Sequence, residues 1–184
     1  MATIVSSLFI TLDGVAEIDP DWHVRYFDED MGAAAGGDYE GAEVILLGRV
    51  TYDSFVGAWP DREAAGGEDA AFAAQLGDTR KLVATRSAGD LGWRNVEATA
   101  DLLASARALR SDPTIGKVIV PGSISVVRQL LEAGLLDELR LLIHPIAARH
   151  GERLFGEGAM LPMRLVSCEA FASGVLRVVY SPDE

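Results

Sequence analysis

Two apolar runs end in glycine where a helical pattern begins: Ile45-Leu46-Leu47-Gly48-Arg49-Val50-Thr51-Tyr52 and Val118-Ile119-Val120-Pro121-Gly122-Ser123. A strand that turns through glycine into a helix leaves up to four backbone N–H groups unpaired at the positive end of the helix dipole. The missing side chain lets an anion approach them closely. Two such ends in one chain suggest a dinucleotide, and Arg49 adds a guanidinium able to pair with a phosphate.

The rest of the composition narrows the partner. The formal net charge is −12, which argues against nucleic acid and anionic membranes, since a basic face supplies most of the attraction to both. A small-molecule partner is expected, and an anionic one needs local cations such as Arg49, Lys81 and Arg86. Cys168 is the only cysteine, so internal disulfides and multi-cysteine metal clusters are excluded. Its strand-like neighbours predict a small buried hydrophobe. His144 and His150, separated by Pro145, do not have a metal-ligand spacing. Neither a Gly-x-Gly-x-x-Gly turn, nor a Walker loop, nor a Gly-x-Ser-x-Gly elbow is present.

The elements that must position these residues fit in one domain spanning 1–184. A chain of 184 residues, 49% hydrophobic and 24% charged, buries roughly 70% of its unfolded surface. No apolar run approaches the roughly 20 residues of a membrane span. Met1 to Val5 lacks a basic flank and reads as a first strand, not an export signal, so a cytoplasmic location is expected.

Ile4 to Leu12 reads as a buried strand stopped by Asp13-Gly14. Glu17 to Phe27 reads as a loop, followed by a short helix over about 28–35 that breaks at Gly36-Gly37. After the strand Val44 to Leu47, Tyr52, Phe55, Val56 and Trp59 share one helical face and read as core, with Pro60 closing the helix. Residues 61–68 look like an exposed loop before a helix over about 69–76. A strand over 81–85, a weak one near Val96 and a helix over about 101–110 follow.

Lys117 to Val120 is another buried strand, and Ser123 is placed to cap a helix that turns Ile124, Val127, Leu130 and Leu131 inward and stops at Gly134. Glu138 to His144, Met163 to Phe171 and Val175 to Tyr180 are strand-like, the last two joined as a hairpin by Ala172-Ser173-Gly174. Alternating strands and helices predict an α/β fold whose mainly parallel sheet is covered on both faces, with the hairpin adding antiparallel strands at an edge. The apolar strand Leu139-Arg140-Leu141-Leu142-Ile143 and the open edge beside it predict a homodimer.

The chain resembles the dihydrofolate reductase-like proteins related to the reductase (C-terminal) domain of the riboflavin-biosynthesis deaminase-reductase RibD. The similarity covers nearly its whole length. It is carried by Ser7-Leu8-Phe9-Ile10-Thr11-Leu12-Asp13-Gly14, by Phe27-Asp28-Glu29-Asp30-Met31-Gly32, and by Leu47-Gly48-Arg49-Val50-Thr51-Tyr52-Asp53-Ser54-Phe55 with Trp59-Pro60. Gly122-Ser123, Gly134-Leu135-Leu136-Asp137-Glu138-Leu139-Arg140-Leu141, His144-Pro145 and Arg153-Leu154-Phe155-Gly156 continue it.

The resemblance implies a dihydrofolate reductase-like three-layer αβα fold and NADPH as cofactor. It makes Gly48, Arg49 and Thr51 cofactor contacts and sets Thr85, Arg86 and Ser87 at the adenosine 2'-phosphate. It turns Gly122, Ser123 and Ile124 toward the pyrophosphate. By the same resemblance Asp13, at the exit of the first strand, is the candidate proton source, although Asp-Gly is equally a plain tight turn. Trp22, Phe27 and Met31 read either as aromatic and apolar walls of an acceptor pocket or as ordinary core.

Some positions depart from the family pattern. Pro121 removes a backbone donor before the second turn, Glu152 puts a negative charge where a positive one is usual, and the zinc motif of a deaminase half is absent. The expected activity is a stand-alone NADPH-dependent reduction of a small heterocyclic or carbonyl-containing molecule, pteridine- or pyrimidine-like. It would be dihydrofolate reductase-like or 5-amino-6-(5-phosphoribosylamino)uracil reductase-like. The alternative is a non-catalytic ligand-binding homodimer that keeps the fold without turnover.

Overall fold

The computed structural model describes residues 1–87, 89 and 91–183. Its first strand, β1 (Thr3–Thr11), becomes the middle of the sheet. The other strands are β2 (Val44–Gly48), β3 (Arg80–Ala84), β4 (Val96–Thr99), β5 (Lys117–Gly122), β6 (Glu138–His144), β7 (Met163–Ala170) and β8 (Leu176–Pro182). They form one sheet in the order β4-β3-β2-β5-β1-β6-β8-β7. The first six are parallel, and β8 and β7 complete the sheet antiparallel.

Continuous apolar runs are what strands covered on both faces require, and all five residues of β2 are buried. Alternate residues of each strand feed separate cores. On one face Ile4, Leu8, Leu46, Val118 and Leu139 meet α6 (Leu102–Ser111) and α7 (Ile124–Glu132). On the other face Val5, Ile45, Leu47 and Ile119 meet Tyr52 of α3 (Arg49–Val56) and Leu76 of α5 (Ala70–Asp78). A third cluster packs Met31 of α2 (Glu29–Gly37) against Leu142 and Val175.

Several local expectations need correction. Pro60 does not close a helix: it sits in the first turn of α4 (Trp59–Ala65), where its missing N–H costs nothing, and Gly66 ends that helix at φ 69°. Much of the expected loop over 61–68 is therefore helical. The stretch before α2 holds a one-turn helix, α1 (Pro20–His23), capped by the Asp19 carboxylate, and a 3-10 turn, Val24–Tyr26. Cys168 is exposed, because β7 is an edge strand with no helix over it. β6 lies inside the sheet, paired to β1 and β8, and the open edge on that side belongs to β7.

α2 is joined to the sheet by charge. Asp38, at its C-terminal end, is fully buried and accepts hydrogen bonds from Ser7 Oγ at 2.6 Å and from the guanidinium groups of Arg140 and Arg177 at 2.7 Å each. A carboxylate is unfavourable at a helix C-terminus. Two arginines from β6 and β8 offset it and hold β1, β6, β8 and α2 together.

Candidate functional site

In a parallel sheet every strand ends on the same side, and ligands bind beyond those ends. Here Ala84, Gly48, Gly122, Thr11 and His144 mark the C-terminal ends of β3, β2, β5, β1 and β6. Beyond β3, β2 and β5 lies a groove of about 720 Å³ lined by Gly48, Arg49, Thr85, Arg86, Ser87 and Ser123 among others. Six of the nine residues expected from sequence to hold a dinucleotide line this groove, and Thr51, Gly122 and Ile124 do not.

The floor of the groove is two interlocked turns. A Cβ on Gly48 would lie 1.7 Å from Ser123 Oγ, and one on Gly122, which has φ 141°, would lie 2.5 Å from Thr51 Oγ1. Each glycine thus admits the other turn, which brings the N-termini of α3 and α7 side by side. α1, α2 and α6 are capped by the side chains of Asp19, Asp28 and Asp101, whereas α3, α4, α5 and α7 have no side-chain cap, and of these α3 and α7 begin at the two glycine turns. Ser123 holds the N-cap position of α7 with Ile124 next in line, but its hydroxyl makes no capping bond. In α7 the Val126 N–H already bonds the Ser123 carbonyl at 3.0 Å, so the N–H groups ahead of it are the ones open to a ligand.

Arg49 Nε donates to Asp53 Oδ1 at 2.7 Å, and its Nη1 donates to Ser87 Oγ at 3.2 Å. Ser87 Oγ is 3.0 Å from Thr85 Oγ1, so Arg49 ties the first turn to the end of β3. An exposed i,i+4 ion pair is worth only about 0.3–0.5 kcal/mol, so a phosphate can compete with Asp53 for this guanidinium. Arg86 makes no ion pair with another described residue. Lys81 is a different case and corrects the expectation that it meets an anion. It is buried, and its ammonium donates to the carbonyls of Leu76, Gly77 and Thr79, capping α5. The Trp93 ring lies 4.5 Å from the same nitrogen.

Beyond β1, Asp13 is committed to structure. Its carboxylate accepts from Thr11 Oγ1 at 2.7 Å and from the backbone N–H groups of Ala148 and Arg149 at 3.0 and 2.9 Å. The Thr11 hydroxyl, together with these amides, holds its pKa at about 2. At neutral pH it is an ionised tether between the exit of β1 and the 145–151 segment, with no proton of its own to give.

Beyond β1 and β6 the side chains form an aromatic nest that sequence reasoning only partly found. His144 is fully buried, with Trp22 4.7 Å, His23 5.4 Å and Phe9 6.0 Å from it between ring centroids. Phe27, about half exposed, lies 5.3 Å from His23. Trp22 and Phe27 are thus in one cluster. Met31 has no exposed surface and serves as packing between α2, Leu142 and Val175, so it walls no pocket. Two sequence signals point to the histidines: His23 adjoins Trp22, and His144 stands before Pro145 at the end of an apolar run.

Burial holds the pKa of His23 down at about 4, with a further push from His144, and burial lowers that of His144 as well. Both rings are neutral at pH 7. Among the described residues no group of histidine, cysteine and carboxylate side chains is arranged to hold a metal ion. No helix there is long and apolar enough to cross a membrane.

Comparison with known proteins bears on this geometry. Residues 2–177 match the RibD C-terminal domain family model. The uncharacterized protein YyaP of Bacillus subtilis (strain 168) is 28% identical over 183 residues, covering 96% of this chain and 93% of YyaP. A Shewanella sp. PV-4 protein assigned to riboflavin biosynthesis superposes with a TM-score of 0.73 at 17% identity, all of both chains being covered. A pyrimidine reductase-like protein of Corynebacterium diphtheriae superposes at 0.69 and 17% identity, over all of this chain and 92% of that one. RibD of Acinetobacter baumannii superposes at 0.67 and 14% identity, and there this chain spans 58% of the longer protein. With its sheet order, its paired glycine turns and a family match over nearly its whole length, the chain belongs to the RibD C-terminal domain family.

Proposed function

We propose that the protein is a cytoplasmic NADPH-dependent reductase of a small planar acceptor, pteridine- or pyrimidine-like. The observation that carries this reading is the pair of uncapped helix N-termini interlocked through Gly48 and Gly122, beside Arg49 and Arg86. That donor set fits the cofactor. Adjacent backbone amides suit a pyrophosphate, and a guanidinium with the Thr85 and Ser87 hydroxyls suits a 2'-phosphate dianion. When bound, NADPH supplies hydride. The chain's own residues hold the phosphates, and the aromatic nest beyond β1 and β6 keeps water from the acceptor.

A reduction also needs a proton, and with Asp13 held ionised the source is another group or an ordered water. That observation also supports the second reading, a ligand-binding homodimer without turnover. Titrating the protein with NADPH and NADH while following tryptophan fluorescence tests the cofactor, and NADPH is expected to bind the tighter. Consumption of NADPH in the presence of pterins, pyrimidines and small carbonyl compounds then separates the two readings. Binding without consumption for any compound favours the non-catalytic one, and absence of binding by either nucleotide rejects the reductase.

A further inference from the structure

Arg49 is held at one edge and open at the other. Its Nε donates to both oxygens of Asp53, at 2.7 and 2.9 Å, and its Nη1 donates to Ser87 Oγ at 3.2 Å. With the Nε hydrogen spent on Asp53 and one Nη1 hydrogen on Ser87, the second hydrogen of Nη1 and both of Nη2 bond no other described residue. That edge is the pair of parallel donors with which a guanidinium grips a phosphate. Arg49 lines the groove, and Asp53, one turn further along α3, does not. The carboxylate occupies the Nε edge and leaves the Nη edge to the groove.

The contact with Ser87 sets where that edge lies. Ser87 Oγ is 3.0 Å from Thr85 Oγ1, and the Ser87 N–H donates to the same oxygen at 3.2 Å. Arg49, Ser87 and Thr85 are thus linked in one chain, with Arg86 beside them on the groove wall. Arg49 begins on α3, beyond β2, yet its head group reaches the end of β3. Long charged side chains lose the most rotamer freedom when fixed, so a tether that holds Arg49 before a ligand arrives removes part of that cost from binding. An exposed ion pair of this kind adds little to stability, and its effect is on position.

We propose that Asp53 is a positioning residue: it holds Arg49 with its Nη edge toward the Thr85–Ser87 end of the groove, so that Arg49 and Arg86 close on one phosphate monoester. The inference rests on the NADPH reading for the phosphate itself. Asp53 touches no ligand. A phosphate able to compete with Asp53 for Nε has no need to, because the Nη edge is open.

The test compares two variants of the full chain. Asp53→Asn and Asp53→Ala remove the same charge, but only asparagine keeps an oxygen for Nε, so the pair separates position from charge. Fluorescence titration is expected to show Asp53→Asn binding NADPH about three- to fivefold more tightly than Asp53→Ala, with NADH hardly distinguishing the two. In an Arg49→Met background the difference should vanish, since Asp53 acts only through Arg49. NMR of the arginine side chains, without nucleotide, should show the Arg49 Nε–H protected from exchange in the parent protein and in Asp53→Asn, but not in Asp53→Ala. On adding NADPH to the parent protein that signal should persist while the Nη signals shift.

Equal NADPH affinity of the two variants, a difference that survives without Arg49, or loss of the Nε–H signal as NADPH binds would each overturn the proposal, the last because the phosphate would then have displaced the carboxylate. The NMR titration of the unmodified protein decides the matter even if the variants fail to fold. NADPH binding with no difference between asparagine and alanine rejects the role of Asp53 and keeps the reductase. Binding of neither nucleotide to the parent protein rejects both.

Discussion

Gly48 and Ser123 occupy each other's space: the hydroxyl of one sits where a side chain on the other would begin, 1.7 Å from an added Cβ. Gly48→Ala therefore forces the turns apart. It is expected to cost about 1–3 kcal/mol, the usual range for overpacking, and to weaken NADPH binding along with stability. Adding Ser123→Gly in that background should recover part of the melting temperature, which thermal denaturation of the single and double variants measures.

Arg86 stands at the groove with no ion-pair partner among the described residues. Arg86→Ala is expected to weaken NADPH by about tenfold or more, roughly 1.4 kcal/mol, and NADH very little. Fluorescence titration with both nucleotides checks it, and equal losses would remove the 2'-phosphate role.

Lys81 provides the contrast. Lys81→Met strips the ammonium from the carbonyls of Leu76, Gly77 and Thr79, of which Gly77 keeps a bond from Asn95 Nδ2, and should destabilise the fold by about 2–4 kcal/mol. Nucleotide affinity measured on the folded fraction should not change. Denaturant unfolding and titration together separate its role from that of Arg86.

Acid should weaken the fold through the histidines. Between the ordinary histidine value of 6.5 and about 4, the unfolded chain binds protons at His23 that the native chain refuses. Stability is therefore expected to fall as pH drops through that window, by on the order of 1–3 kcal/mol from this residue. His144 acts in the same direction. His23→Phe should flatten the profile of unfolding free energy against pH, and an unchanged slope would contradict the burial of the neutral ring.

We also propose a homodimer. The chain exposes 9680 Å², whereas a monomer of 19.6 kDa is expected to expose about 8,600 Å². The excess is comparable to the roughly 800 Å² a standard interface takes from each partner. The uncovered edge strand β7, with Leu165 and Val166 about half exposed, is a suitable place for it. Leu165→Lys should shift sedimentation toward a single chain, and a monomeric parent protein would end the proposal.

The parallel body of the fold was legible because β2 and the Val118–Val120 run of β5 are continuously apolar, and β1 nearly so apart from Ser6-Ser7, a pattern that suits a strand covered on both faces. The two glycine turns beside the groove were legible for a different reason: glycine followed by helical periodicity marks a helix start by local chemistry alone. What sequence could not convey was pairing between distant residues. Lys81 reads as a free cation until α5 is folded over it, and Cys168 reads as buried until β7 proves to be the last strand. Asp13 reads as a reactive acid until the amides of Ala148 and Arg149 arrive beside it. His144 needed Trp22 and His23, more than a hundred positions earlier, before its ring had surroundings to interpret.

The central position of β1 also has a consequence for synthesis. β1 is made more than a hundred residues before the strands that flank it, residues 117–122 and 138–144. Until they emerge, a nearly continuous apolar ribbon waits without a hydrogen-bonding neighbour, and Asp38 waits longer still for Arg177, 139 positions downstream. A nascent chain of this protein therefore exposes apolar surface and an unpaired carboxylate until residue 177 has emerged.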